Sequence, residues 1–373
     1  MKKTIEKPFE WQYNIIRGDY MEILSFINLS GGSCKTTSCS AFADVLAYKG
    51  YKVLIIDMNL QGDLTTQYNI KNDYILKDRK SIFEAMDDGS NIKECYIKPF
   101  LSEYYNTLDD KKAKLVMSAN PVVIPSKYTV NGKSFVDFLD TLSDRDKDYT
   151  LLLKKLCEID SDSFDFILID CHDIESTNLY EILVATDDVI VPCQLQEKYL
   201  DGLKKVYLSI SKLKKALGED KVNDIFGVFI NKYGTTNKDM YQNKDAFDKL
   251  EMYCNEKNIP IMKHLVREYN SLGNIRDKHK SILCKKEVEY KKAPDGSKIE
   301  YSELTLDMIG KPQKRVETIK NKRGKKAAKF KTIDFTDLAK DYITLVDEYL
   351  DKKGIAREKS LIEQLDDIIK RED

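Results

Sequence analysis

Two short stretches, Val53-Leu54-Ile55-Ile56-Asp57 and Phe166-Ile167-Leu168-Ile169-Asp170, each run four apolar residues straight into a carboxylate. An unbroken apolar run suits a strand covered on both faces, as in the interior of a parallel sheet. Similar runs lie at Glu22 to Leu29, Val189 to Val191 and Phe226 to Ile230. The intervals leave room for crossover helices, the first of them over Cys39 to Lys49. The pattern predicts an α/β fold, a doubly wound and mostly parallel sheet flanked by helices. Ligands of such sheets are met at the carboxyl ends of the strands, where both aspartates stand.

The first strand leads into a Gly-rich turn, Ser30-Gly31-Gly32-Ser33-Cys34-Lys35-Thr36-Thr37, and then into a helix. Strand, glycine turn and Lys-Thr helix start make a cradle in which backbone N–H groups and the helix N-terminus face anionic oxygens. Gly31, Gly32, Ser33, Cys34, Lys35, Thr36 and Thr37 are therefore the candidate phosphate-binding residues. Lys35 would reach the β- and γ-phosphates, and the Thr36 hydroxyl would bind Mg²⁺. A Gly-rich turn with a capping threonine has the same outline. Two strand-ending aspartates in order after the loop favour the phosphate site, with Asp57 and Asp170 meeting Mg²⁺ partly through water.

At 373 residues, with 42% hydrophobic and 33% charged, the chain has the make-up of a protein with a sizeable core. No apolar run approaches the roughly 20 residues of a membrane span. Residues 1–20 mix Lys, Glu and aromatics without the apolar centre of a secretion signal, and they precede a second methionine, Met21. A cytoplasmic location is the expectation. The eight cysteines are scattered without a C-x-x-C pair, which fits reduced thiols used as core filler.

The net charge of −1 conceals an asymmetry. Between Lys311 and Lys331 ten basic residues face the single acid Glu317, so this stretch carries +9 and the rest of the chain −10. Such a segment suits a polyanionic partner. It closes an apparent insertion, 285–332, whose first half suggests a β-hairpin pairing Val288 and Tyr290 with Ile299 and Tyr301 around Pro294-Asp295-Gly296. At the C-terminus, Leu361, Ile362, Leu365, Ile368 and Ile369 share one helical face. Residues Ala356 to Asp373 carry four bases and six acids, so an anionic membrane surface would repel that helix.

Together these stretches resemble the ParA/MinD group of P-loop ATPases, and most closely its ParA-type partition proteins. That group has a loop K-G-G-x-G-K-[ST]-T, a strand ending D-x-D-P-Q-G-N and a strand ending I-D-x-P-P. The matching stretches are Ser30 to Thr37, Asp57 to Asp63 and Ile169 to Asp173, with further similarity at Asp187 to Leu203, Gly227 to Tyr233, Leu265 to Ile275 and Asp334 to Leu350. The resemblance implies an ATPase core over 21–284, closed by a helix at 333–350. An N-terminal extension (1–20), the basic insertion (285–332) and a C-terminal helix (351–373) would flank it. It implies ATP and Mg²⁺ as cofactors and an ATP-dependent homodimer. It also implies non-specific DNA as a partner, a ParB-like adaptor carrying cargo, and a place on the nucleoid. Lys311, Lys314, Arg315, Lys320, Lys322, Arg323, Lys325, Lys326 and Lys329 would be the DNA contacts, and Asn231 would contact adenine.

Departures from the group's pattern fall on catalytic positions. The signature lysine that reaches across the dimer is Ser30 here, the glycine before Lys35 is Cys34, and the water-orienting second carboxylate of D-x-D is Asn59. The P-P pair is His172-Asp173. With Lys35, Asp57, Asn59 and Ser30 as the catalytic candidates, the expectation is nucleotide binding with slow or partner-stimulated hydrolysis. The alternative is a nucleotide-gated scaffold without useful turnover.

Overall fold

In the computed structural model of the protein the described residues are 21–59, 61–70, 79–99, 121–130, 132–134, 137–138, 141, 149–234, 237–269, 282–283, 286–291, 305–309, 329–334 and 336–355. A six-stranded sheet organises them, in the order β3-β2-β6-β1-β7-β8, with every neighbouring pair parallel. The strands are β1 (Glu22–Phe26), β2 (Val53–Asp57), β3 (Val122–Ile124), β6 (Phe166–Asp170), β7 (Asp188–Cys193) and β8 (Ile225–Ile230). A short antiparallel pair, β4 (Thr129–Val130) and β5 (Lys133–Ser134), lies outside it.

Alternation along the strands feeds two cores. Ile23, Leu54, Ile56, Ile167, Ile169 and Val191 point into one, with α4 (Leu151–Leu156), α5 (Thr177–Ala185), α6 (Glu197–Leu217) and α7 (Asn237–Glu256) supplying its other side. Leu24, Phe26, Ile55, Phe166 and Leu168 point into the other, against α1 (Lys35–Tyr48) and α8 (Asp337–Lys353). Both faces are covered, which is why these strands read as continuous apolar runs rather than as alternating ones.

Two short helices, α2 (Asp63–Gln67) and α3 (Ile82–Asp88), follow β2. The edge strand β3 has no counterpart in the sequence reading: it is three residues long and is followed at once by Pro125. Among the described residues no helix is long and apolar enough to cross a membrane.

The insertion contributes one described strand pair. β9 (Lys286–Lys291) pairs antiparallel with β10 (Lys329–Asp334), placing Tyr290 opposite Phe330 and Val288 opposite Thr332. The partner described for this strand thus comes from the far end of the basic stretch. Ile299 and Tyr301, its expected partners, lie outside the described residues. So do residues 1–20, the C-terminal apolar face at 361–369, and all the DNA-contact candidates except Lys329, the first residue of β10.

Candidate functional site

The loop from Asn28 to Cys34 links the carboxyl end of β1, a central strand, to the first turn of α1. Its shape depends on two left-handed residues, Gly32 at φ 81° and Cys34 at φ 69°. Cys34 keeps a conformation suited to glycine despite its Cβ, at a cost of roughly 1–2 kcal/mol. Replacing Cys34 with Gly is expected to raise stability by about 0.5–1 kcal/mol, the relief less the entropy glycine gains in the unfolded chain. Urea denaturation checks this, and an unchanged or lower midpoint would mean the turn is unstrained.

The loop is held from behind by residues that carried no role in the sequence reading. Gln194 Nε2 donates to the Gly32 carbonyl at 2.6 Å and the Tyr199 hydroxyl donates to it at 3.3 Å. Gln194 directly follows β7, the strand beside β1, so the topology delivers it to the loop. Deeper in, Asn28 Nδ2 donates to the carbonyls of Pro192 (3.0 Å) and Tyr199 (3.3 Å). Gly31 also needs its missing side chain, because a Cβ there would stand 2.9 Å from Asp173 Oδ2.

Lys35 is buried, and its Nζ reaches the Ser30 carbonyl at 3.5 Å. Burial lowers its pKa, while the carboxylates of Asp170 and Asp173 oppose that shift. Ser30 therefore meets Lys35 through its backbone, which any residue at that position would supply.

Asp57 and Asp170 are register partners on β2 and β6, and both are fully buried. Their oxygens fare differently. Asp57 accepts the backbone N–H of Asn59 (3.0 Å) and both the N–H (2.8 Å) and hydroxyl (2.6 Å) of Thr65. Asp57 thereby shapes the turn into α2, and burial, opposed by these donors, raises its pKa to about 6.

Asp170 has no hydrogen-bond partner on either oxygen among the described residues. Burial first, and the neighbouring Asp57 second, push its pKa up to about 8. The Thr36 hydroxyl, close to the carboxylate though outside good hydrogen-bond geometry, and the Lys35 ammonium pull the other way. A buried carboxylate left unsatisfied beside a hydroxyl and a phosphate-type loop has the donor chemistry of a hard divalent cation. Among the described residues no group of three His, Cys, Asp or Glu side chains forms a metal cage. Mg²⁺ takes one or two carboxylates and completes its shell with phosphate and water.

Gly31 to Thr37, Asn59 and Asn231 line one cavity of about 450 Å³, so the structure brings together most of the predicted site. Asn59 Oδ1 accepts the Gln61 N–H at 3.1 Å. Asn231, on the turn after β8, donates from Nδ2 to Ser38 Oγ (3.2 Å) and Tyr342 Oη (3.5 Å). The lining also includes Lys232, Arg267, Tyr269, Leu338 and Tyr342, and Gln61, Asp63 and Asp173. None of these was a predicted site residue, although several lie in stretches similar to the ParA-type pattern.

The chain is similar to known proteins in sequence and in fold. The model of a family described as an AAA domain matches residues 21–223. The chain is 25% identical over 199 residues to the sporulation initiation inhibitor protein Soj of Bacillus subtilis, covering 53% of this chain and 68% of that one. It is 25% identical over 219 residues to the chromosome-partitioning ATPase Soj of Treponema pallidum, covering 58% and 73%. The fold is similar to that of a Cyanothece McdA variant in complex with ATP, with a TM-score of 0.56 at 18% identity over 71% of this chain and 90% of that one. It is also similar to the septum site-determining protein MinD of Pyrococcus horikoshii complexed with Mg-ADP, with a TM-score of 0.52 at 15% identity over 90% and 98%. The family model spans more than half of the chain: it belongs to the AAA-domain family, as a P-loop ATPase of the ParA/MinD type.

Proposed function

We propose that the protein is a ParA-like ATPase that binds ATP with Mg²⁺ and forms an ATP-dependent dimer on DNA, hydrolysing slowly until a partner stimulates it. The observation that carries the nucleotide reading is the unsatisfied, buried carboxylate of Asp170 beneath the Lys35–Thr36 turn. The names of the relatives, a chromosome-partitioning ATPase among them, support the partition role. Cargo would be engaged through a ParB-like adaptor, and the protein would be cytoplasmic and nucleoid-associated. The core would be 21–284 closed by 333–350, with 285–332 as the DNA arm and 1–20 and 351–373 as extensions.

In this reading the loop N–H groups and Lys35 bind the phosphates, Thr36 and Asp170 hold the cation, and Asn231 stands at the base end. When bound, Mg²⁺ neutralises charge on the phosphates and helps fix their orientation. Asp57 keeps the turn that presents Asn59. An amide at position 59 positions water without acting as a carboxylate acceptor, which accounts for slow turnover. A second reading, a nucleotide-gated scaffold, is favoured by the engagement of Asn59 Oδ1 with the Gln61 N–H.

DNA binding is tested by retention on duplex DNA in ATP and in ADP across a salt series. Retention is expected in ATP, with log affinity falling by about 0.9 per phosphate neutralised for each unit of log salt. Replacing Lys320, Lys322, Arg323 and Lys325 with Gln should flatten that slope by roughly 3–4. An unchanged slope would mean that the basic segment is not the DNA contact.

A further inference from the structure

Part of the cavity lining is assembled from three separate pieces of chain: 231–232 after β8, 267–269, and the start of α8. Short backbone links join the first two, with Tyr233 N–H donating to the Val266 carbonyl and Glu268 N–H donating to the Tyr233 carbonyl. Asn231 reaches the third through a long 3.5 Å contact with Tyr342 Oη. The strong tie to α8 is Arg267. It grips Asp341 with Nε at 2.6 Å and Nη2 at 2.9 Å, and reaches Asp337 with Nη1 at 3.3 Å. Its own backbone N–H donates to the same Asp341 carboxylate at 3.0 Å.

Asp341 has no exposed side-chain surface, so this is a desolvated, two-pronged pair rather than a surface ion pair. Asp337 and Asp341 lie four residues apart and share one face of α8. Leu338 and Tyr342 follow each by one position, and both line the cavity. Tyr342 also meets Ser38 Oγ at 3.1 Å, which brings α1 into the same network. Rotation or sliding of α8 would therefore carry Leu338 and Tyr342 out of the lining, and Arg267 opposes both.

We propose that Arg267 is a positioning residue for the nucleoside half of the ligand, fixing through its clasp on Asp341 and Asp337 the part of the cavity lining formed by Leu338 and Tyr342. This rests on the nucleotide reading above. Leu338, Tyr342 and Tyr269 give the cavity apolar and aromatic groups, whereas Gly31 to Thr37 offer N–H groups and an ammonium. Lysine cannot replace the planar fork, since it brings one point charge in place of three aligned donors.

The test compares two probes on the full chain with Mg²⁺: ATP, which uses both halves of the cavity, and inorganic tripolyphosphate, which uses only the phosphate loop. In Arg267→Lys, ATP affinity is expected to fall about tenfold while tripolyphosphate affinity stays within twofold. Asp337→Asn removes the more exposed arm of the clasp and should weaken ATP two- to threefold with tripolyphosphate unchanged. It keeps the question answerable should the first variant fail to fold. Equal losses for both probes would reduce Arg267 to a general structural role, and no loss in either variant would remove the role altogether. A wild-type chain that binds neither probe would overturn the nucleotide reading itself, a result distinct from these.

Discussion

Replacing Asp170 with Asn is expected to make the ligand-free protein more stable and, at the same time, to abolish Mg²⁺-dependent nucleotide binding. The sign follows from proton linkage. Asp170 has a folded pKa raised from 3.8 to about 8, so between those values the folded state holds a proton that the unfolded state has released. Stability from this group is therefore fully present below about pH 4 and is lost as pH rises toward 8. At pH 7 the burden is on the order of 4 kcal/mol. A buried, unpaired amide would return about 1–3 kcal/mol of it. The net expected gain is about 2 kcal/mol, and the decline in stability between pH 6 and 8 should flatten. Asp57, raised to about 6, contributes the same sense of slope over a lower window and should persist in the variant. Thermal denaturation from pH 5 to 8, with nucleotide titrations in Mg²⁺ and in a chelator, checks both halves. A less stable variant with unchanged pH dependence would mean that Asp170 is not the strained carboxylate.

Gly202→Ala in α6 is expected to destabilise the protein by about 3 kcal/mol, at the upper end of overpacking costs. Helix propensity alone gives the opposite sign, since alanine in a helix interior gains about 1 kcal/mol over glycine. Space decides against it. A Cβ at Gly202 would stand 2.0 Å from Asn28 Oδ1 and 3.0 Å from Ser30 Cβ. Asn28 has no room to yield, being fully buried with its amide committed to the Pro192 and Tyr199 carbonyls. Because Asn28 opens the phosphate loop, the loss should extend to nucleotide affinity. A urea midpoint at or above that of the wild type would show that α6 can retreat from the loop.

Much of this site is legible in the sequence because it is local. A buried strand announces itself by unbroken apolar residues, and Lys35, Thr36, Asp57 and Asp170 all stand at or just beyond such strands. The division of labour between Asp57 and Asp170 is not legible, since it depends on Thr65 reaching back to close short hydrogen bonds on one carboxylate and not on the other. The clamp on Gly32 needs the strand order, which sets the end of β7 beside β1. Arg267 and Asp341 are 74 positions apart and neither belongs to a motif of charged residues, so only the packed fold pairs them. β9 likewise pairs with β10 across almost the whole insertion, a contact that no local turn signal announces.

The central claim is that this site, with Ser30 and Cys34 in its loop and Asn59 after β2, still binds and turns over a nucleotide. Steady-state phosphate release from ATP and Mg²⁺, with and without duplex DNA, beside a Lys35→Ala control, tests it most directly. The account predicts slow release that DNA increases and that Lys35→Ala removes. Release no greater than that of the Lys35→Ala control, in a protein shown separately to bind ATP, would contradict it and leave a nucleotide-gated scaffold.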